Sequence, residues 1–118
     1  MKNVSILIIS LLFAVSISAQ DTLQGRWLTG EENTIVETYQ KEGKWQGKIV
    51  ASDNPNAKIG THILQDFEKK EGLWIGKIFA IKRGKLLDAT IKPEDDALQI
   101  SVSAGFITKE LKWEKVKE

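Results

Sequence analysis

The sequence predicts an all-β protein, a closed antiparallel up-and-down barrel of about eight strands. Three observations support this prediction. Segments rich in β-branched and aromatic residues recur about every 8 to 14 residues, turn sequences separate them, and no long segment has helical periodicity. An open twisted sheet of this size would expose two edges, which a barrel removes. A barrel of about eight strands has room for side chains or for one small ligand.

A repeated segment carries the clearest strand pattern. Residues 42–51 return 29 positions later as residues 71–80, and seven of the ten positions are identical. Each copy begins with Glu-Gly, a hairpin corner, and continues as a strand whose Trp, Gly, Ile and Ala share one face. A strand glycine two residues from a tryptophan makes room for a bulky ring or marks a bend. We therefore expect Trp45 and Trp74 to point into the barrel.

The predicted strands, including the two of the repeat, follow one another in chain order with turns between them. They are predicted at residues 25–30, 35–40, 45–52, 73–82, 86–92, 98–104 and 107–116. Pro93 is expected to end the strand at 86–92, and the segment 53–60 around Pro55 is a loop. Segment 62–70 has a less regular period and fits a strand or a short helix. The strand at 73–82 is apolar on both faces, so its outer side requires a loop, a helix or a partner.

The first nineteen residues have the features of a targeting signal. Lys2 precedes an apolar run at residues 4–17, and residues 17–19 form a small-residue cleavage site. The run is shorter than the ~20 residues of a membrane span, which disfavours an uncleaved anchor. We expect residues 20–118 to form a single exported domain, periplasmic or secreted, without stable membrane insertion after cleavage.

The near-neutral charge and the absence of cysteines exclude some classes of function and modification. The chain has 17 basic and 16 acidic side chains, and the predicted signal removes one lysine. A neutral domain lacks the basic surface that nucleic acid binding requires. Near-zero charge also gives little protection against self-association, and the oligomeric state is left open. Without cysteines there is no disulfide, and a lipid-modified signal is excluded.

Four tryptophans in a small domain allow two interpretations. In the first, the rings simply fill the core. In the second, they line a pocket that binds a small apolar or amphiphilic molecule without catalysis. The candidate ligand-binding residues are Trp45, Trp74, Ile49, Ile78, Tyr39 and Trp113. If the barrel is filled, the alternative function is an envelope interaction module whose apolar surface around Ile75, Phe79 and Ile81 contacts a protein or membrane partner.

The sequence contains no recognisable catalytic or metal-binding constellation. His62 is the only histidine and is expected to be a solvated loop residue. The acids at residues 94–96 are expected to form a turn rather than a calcium site. Ser101 and Ser103 lack a neighbouring base, and no glycine-rich loop has phosphate-binding spacing. We therefore expect no enzyme activity, no metal and no cofactor.

Several short motifs occur in the order seen in one family of exported bacterial proteins. They are Gly25-x-Trp27, residues 43–50, Gly60-x-x-Ile63-Leu64, Trp74-x-Gly76-Lys77-Ile78, Gly84-Lys85 and Trp113. In this order the chain resembles domain of unknown function family 2147, which implies a lipocalin-like barrel and export. Gly25-x-Trp27 also resembles the opening of true lipocalins. That resemblance implies that Trp27 plugs one end of the barrel, with Lys115 as the late basic residue that packs over it.

Overall fold

Eight antiparallel strands follow one another around a closed barrel, each paired with the next in sequence. The structure, a computed structural model, describes residues 23–117. The predicted targeting signal, residues 1–19, lies outside this part of the chain. The strands are β1 (Arg26–Leu28), β2 (Ile35–Lys41), β3 (Lys44–Ala51), β4 (His62–Lys70), β5 (Leu73–Ala80), β6 (Lys85–Glu94), β7 (Ala97–Ala104) and β8 (Ile107–Lys115). The predicted architecture is confirmed.

The repeated Glu-Gly corners are two-residue turns between β2 and β3 and between β4 and β5. Glu42 and Gly43 have φ angles of 55° and 82°, and Glu71 and Gly72 have 50° and 85°. Two positive φ angles are what a type I′ hairpin requires, because its twist matches that of the flanking strands. The repeat in the sequence is therefore a repeated hairpin geometry.

The structure decides one strand assignment that the sequence left open and changes two others. Segment 62–70 is the strand β4, since it pairs with both β3 and β5. Pro93 does not end its strand, because β6 continues to Glu94. Pairing between β5 and β6 stops at Ile91, so Pro93 lies where β6 pairs with β7 alone, and proline is tolerated at such an edge. The strand predicted at 73–82 ends at Ala80, where a four-residue turn begins.

Very few residue pairs join the first strand of the barrel to the last. β1 has three residues and pairs with β8 only at Trp27–Lys115 and Leu28–Glu114. After Leu28 the chain turns away, and the Thr29 N–H donates to the Thr34 carbonyl. The first seven residues of β8, 107–113, therefore lie beside β7 without a β1 neighbour.

Candidate functional site

Five of the six predicted ligand-binding residues lie together inside the barrel. All five are buried and belong to one continuous apolar core: Trp45, Trp74, Ile49, Ile78 and Trp113. The Trp45 and Trp74 rings meet edge to face, with centroids 6.5 Å apart and an interplanar angle of 87°. This arrangement places the positive edge of one indole against the negative face of the other.

The two strand glycines of the repeat show how tightly the interior is packed. A Cβ atom added to Gly76 would lie 2.7 Å from the Phe67 ring, and one added to Gly47 would lie 2.9 Å from Val36. Each glycine therefore makes room for a side chain on a neighbouring strand, not for the tryptophan two residues away. At these two levels the interior has no space for a further methyl group.

The indole N–H of Trp74 is a polar group inside this apolar interior. This N–H is fully buried and has no hydrogen-bond partner among the residues that the structure describes. Leaving a buried donor unpaired costs about 1–3 kcal/mol. Trp74 is also the most exposed of the five interior residues, at 9%. An acceptor from outside the described chain would recover this cost.

Trp27 is buried next to the residues with which the described part of the chain begins. Its indole N–H donates to the Leu23 carbonyl at 3.1 Å, and the Thr38 hydroxyl donates to the same carbonyl at 2.6 Å. Lys115 is paired with Trp27 across β1 and β8. A Cβ on Gly25 would meet both the Trp27 ring and the Lys115 stem, at 3.4 and 3.5 Å. The residues of the predicted plug therefore lie together.

Tyr39, the sixth predicted residue, lies on the outside of the barrel. Its hydroxyl is 2.6 Å from Nε2 of His62, and Lys48 Nζ lies 5.5 Å from the centre of its ring. The prediction of His62 as a loop residue was wrong: it is the first residue of β4 and is exposed there. Tyr39 and His62 border a surface groove of about 280 Å³, which they share with Lys41, Glu42, Lys44, Gln46 and Asp66.

A strained residue shapes this outer groove. Asp66 has a φ of 57° in the middle of β4, where the pairing with β3 and β5 is irregular. The side-chain amide of Gln46 makes two hydrogen bonds to Asp66. The Gln46 N–H donates to Asp66 Oδ1 at 2.9 Å, and the Gln46 side-chain carbonyl accepts from the Asp66 backbone N–H at 3.1 Å. The bulge lets Leu64 and Phe67, three positions apart, both point inward. Nothing in the sequence pattern indicated this pairing.

An apolar surface lies on the outer face of β5 and β6. We call it the outer patch and define it as Leu73, Ile75, Phe79 and Leu86. Leu73, Ile75 and Leu86 are 38%, 42% and 45% exposed, while Phe79 is partly buried. A Lys77–Asp88 ion pair crosses the patch. Ile81, predicted to belong to this surface, lies instead in the turn after β5; both Ile81 and Phe79 are partly buried and pack against the core.

The residues considered for calcium binding and for nucleophilic catalysis lie in and next to the β6–β7 turn and on β7. Asp95 and Asp96 form the turn between β6 and β7, beside a groove of about 450 Å³ that also contains Lys112, Lys115 and Lys117. The Ser101 hydroxyl donates to the Glu110 carboxylate. Within residues 23–117, no three histidine, aspartate or glutamate side chains form a cluster that could hold a metal ion. The described part of the chain also contains no helix long and apolar enough to span a membrane.

Comparison with known proteins places the chain in a family. Residues 25–115, from Gly25 before β1 to Lys115 on β8, match the sequence profile of the DUF2147 family, described as "Uncharacterized protein conserved in bacteria". The chain belongs to the DUF2147 family. The match covers all eight strands, so the predicted family is confirmed together with its barrel. No curated protein and no solved structure matches this DUF2147 chain.

Proposed function

We propose that this DUF2147 protein is an exported interaction module that binds a partner protein through the outer patch on β5 and β6. One observation carries the proposal: the inward side chains are packed against one another, while apolar side chains remain exposed on the outer patch. Exposed apolar groups that adjoin one another on a sheet face are typical of interaction sites. Export is part of the proposal because residues 1–19 have the sequence features of a targeting signal.

Packing inside the barrel favours a function on the outside. A ligand that enters this interior must displace rings or branched side chains that are already buried, and each such displacement loses their contacts. A protein partner needs no such rearrangement, since it covers Ile75 and Leu86 where they already face solvent. The Lys77–Asp88 pair supplies one charge of each sign for orienting the partner.

Site-specific crosslinking tests this function. A photo-reactive amino acid at Ile75 should crosslink a defined protein in the envelope fraction of the native host. The same group at Glu37, on the opposite wall in β2, serves as the matched control. Leu86→Lys in the Ile75-labelled protein should reduce the yield strongly, since it adds a charge to the patch. Equal yields from positions 75 and 37, or no effect of Leu86→Lys, would exclude the outer patch as the binding site.

A second function, binding of a small apolar or amphiphilic molecule, is favoured by the unpartnered Trp74 indole N–H. A ligand with a hydrogen-bond acceptor would satisfy this donor while its apolar part contacts Trp45, Ile49, Ile78 and Trp113. Native mass spectrometry of protein purified from its host should then find a retained molecule, and Trp74→Phe should lose it. If nothing is retained and tryptophan emission does not respond to fatty acids and other lipids, this second function is rejected.

A further inference from the structure

The turns after β5 and after β7 differ in charge from every other connection between the described strands. They comprise residues 81–84 and 105–106. Each of the other connections contains at least one aspartate or glutamate, whereas these two contain none. With the strand ends beside them, residues 80–87 and 104–109, they carry four exposed cations and no acid: Lys82, Arg83, Lys85 and Lys109. Positive charge is therefore concentrated here, in a chain with 17 basic and 16 acidic side chains.

The two turns lie side by side at one end of the barrel. β6 and β7 are neighbours, and their pairing at this end stops at Asp88–Ser103. Lys85 lies three positions beyond this pair on one strand, and Phe106 lies three positions beyond it on the other. At ~3.3 Å per residue, both reach about 10 Å past the pair. The cations of the first turn therefore stand next to the second turn.

The turn after β7 projects from the barrel and carries apolar side chains. β1 pairs with β8 only at Glu114 and Lys115, so residues 107–113 extend roughly 23 Å beyond that pairing at the usual rise of a strand. Phe106 is 108% exposed at the tip, and Ile107 is 68% exposed beside it. A single exposed apolar residue is ordinary, but two consecutive ones on a projecting turn form a contact surface.

The charges at these turns are available to a partner. None of the four cations forms an ion pair with another residue that the structure describes. The nearest acids along the two hairpins are already bonded, since Asp88 pairs with Lys77 and Glu110 accepts the Ser101 hydroxyl. The turns therefore present unpaired positive charge around exposed apolar groups.

We propose that these turns dock the protein on the surface of an anionic lipid bilayer. The tip surface is defined as Lys82, Arg83, Lys85, Phe106, Ile107 and Lys109. Phe106 and Ile107 enter the boundary between headgroups and acyl chains, where apolar surface leaves water. The long cationic side chains lie along this apolar contact and place their charged ends at the level of the lipid phosphates.

The composition of the tip surface favours lipid over a protein partner. Lysine is depleted at the centre of protein interfaces, whereas an anionic bilayer attracts each lysine and arginine near it. The outer patch differs, since its Lys77–Asp88 pair has one charge of each sign. Docking of this kind is peripheral and requires no stable insertion of the barrel. It goes beyond the proposed function, because it uses a different surface, and either proposal can fail without the other.

Cosedimentation with vesicles tests the docking. Protein purified from its host should bind vesicles of phosphatidylcholine mixed with an equal amount of phosphatidylglycerol, and should bind phosphatidylcholine alone much more weakly. Added salt should weaken the binding. Phe106→Ser and the double variant K82E/R83E should each lower the affinity by about tenfold or more. The variant K92E/K112E makes the same change in net charge away from the turns and should bind nearly as well as the unaltered protein.

A local probe shows which part of the protein contacts the bilayer. The chain contains no cysteine, so an environment-sensitive dye can be placed at Thr108→Cys beside the tip or at Asp95→Cys in the turn at the opposite end. Mixed vesicles should shift the emission of the dye at position 108 to the blue and leave that at position 95 unchanged. Circular dichroism checks that each variant keeps its fold.

Three results would overturn the proposal. The first is equal binding to both kinds of vesicle, and the second is an equal dye response at positions 108 and 95. The third is a photo-reactive amino acid at Ile107 that crosslinks only protein in the native envelope fraction, which would assign the tip surface to a protein partner. Crosslinking from Ile75 reports on the outer patch alone, so its outcome does not depend on any of these results.

Discussion

The indole rings of Trp45 and Trp74 contact each other edge to face inside the barrel, with their centres 6.5 Å apart. The two residues occupy the same position in the two copies of the repeat, on β3 and β5. β4 lies between these strands and directs Phe67 inward. The repeat therefore builds one aromatic contact within the core, between two strands that share β4 as a neighbour.

Truncation of Trp74 tests how much this contact stabilises the fold. We expect Trp74→Ala to reduce the free energy of unfolding by ~3–5 kcal/mol, because it leaves a large cavity in the core. Trp74→Phe is the matched control: it keeps a ring and removes the unpartnered N–H, so its loss should be much smaller. Urea unfolding followed by circular dichroism measures both. A loss from Trp74→Ala below about one kcal/mol would contradict its place in the packed interior.

Gly76 tests the close approach of β5 to the Phe67 ring. Gly76→Ala should destabilise by about 1–3 kcal/mol, since its Cβ would lie 2.7 Å from that ring and 2.8 Å from the Gln65 carbonyl oxygen. Phe67→Leu made in the same chain should recover part of this loss, because a smaller side chain can yield. Thermal unfolding of the two single variants and the double variant gives the coupling. If the losses of stability in the two single variants simply add up in the double variant, the Phe67 ring is not what limits the space at Gly76.

Asp66 tests whether the bulge in β4 stores backbone strain. Asp66→Val should lower stability by about 1–3 kcal/mol, because a β-branched residue rarely adopts a positive φ and cannot bond to Gln46. Asp66→Asn should be nearly neutral, since asparagine tolerates this conformation and keeps the Gln46 contact. Gln46→Ala should fall between them. Chemical denaturation measures all three; equal stability of the Val and Asn variants would speak against strain at this position.

Thr38 tests the anchoring of the residues that precede β1. Its hydroxyl donates to the Leu23 carbonyl and accepts the Gly25 N–H at 2.9 Å. Thr38→Val keeps the shape but leaves the Gly25 N–H without this acceptor, so we expect a loss of about 1–3 kcal/mol. Thr38→Ser retains the hydroxyl and should lose less. Hydrogen exchange at the Gly25 amide provides the local measurement: unchanged protection in the Val variant would rule out this role.

The repeat made it possible to predict which side chains point into the barrel. The side chains on the outer face were harder to predict. Trp45, Ile49, Trp74 and Ile78 alternate with other residues at the strand period, so their common inward face followed from spacing alone. Tyr39 also lies on a strand, but the spacing does not reveal which of its faces is buried without knowledge of the register. The bulge at Asp66 breaks the alternation of β4, so the spacing of residues 62–70 fits a strand or a short helix and does not place His62 on a strand.

Contacts between distant strands could not be predicted in this way. The room at Gly76 is taken by Phe67, and the hydrogen bonds of Asp66 come from Gln46, twenty positions earlier. Such pairings depend on which strands become neighbours and on the shift that the bulge introduces. The same holds for residues 107–113 of β8, which among the described residues pair with β7 alone because β1 turns away after Leu28.

Local sequence is enough to predict about eight strands, the two Glu-Gly hairpin corners, the inward Trp45 and Trp74, and the family. These properties depend on local spacing and turn chemistry, which a chain carries before it folds. The pairing of the strands in space establishes three further properties of the described residues: the interior is packed, the Trp74 N–H has no partner among them, and residues 107–113 of β8 pair with β7 alone. Those properties arise from the register and length of paired strands, since they are set by residues that meet only after the barrel has closed.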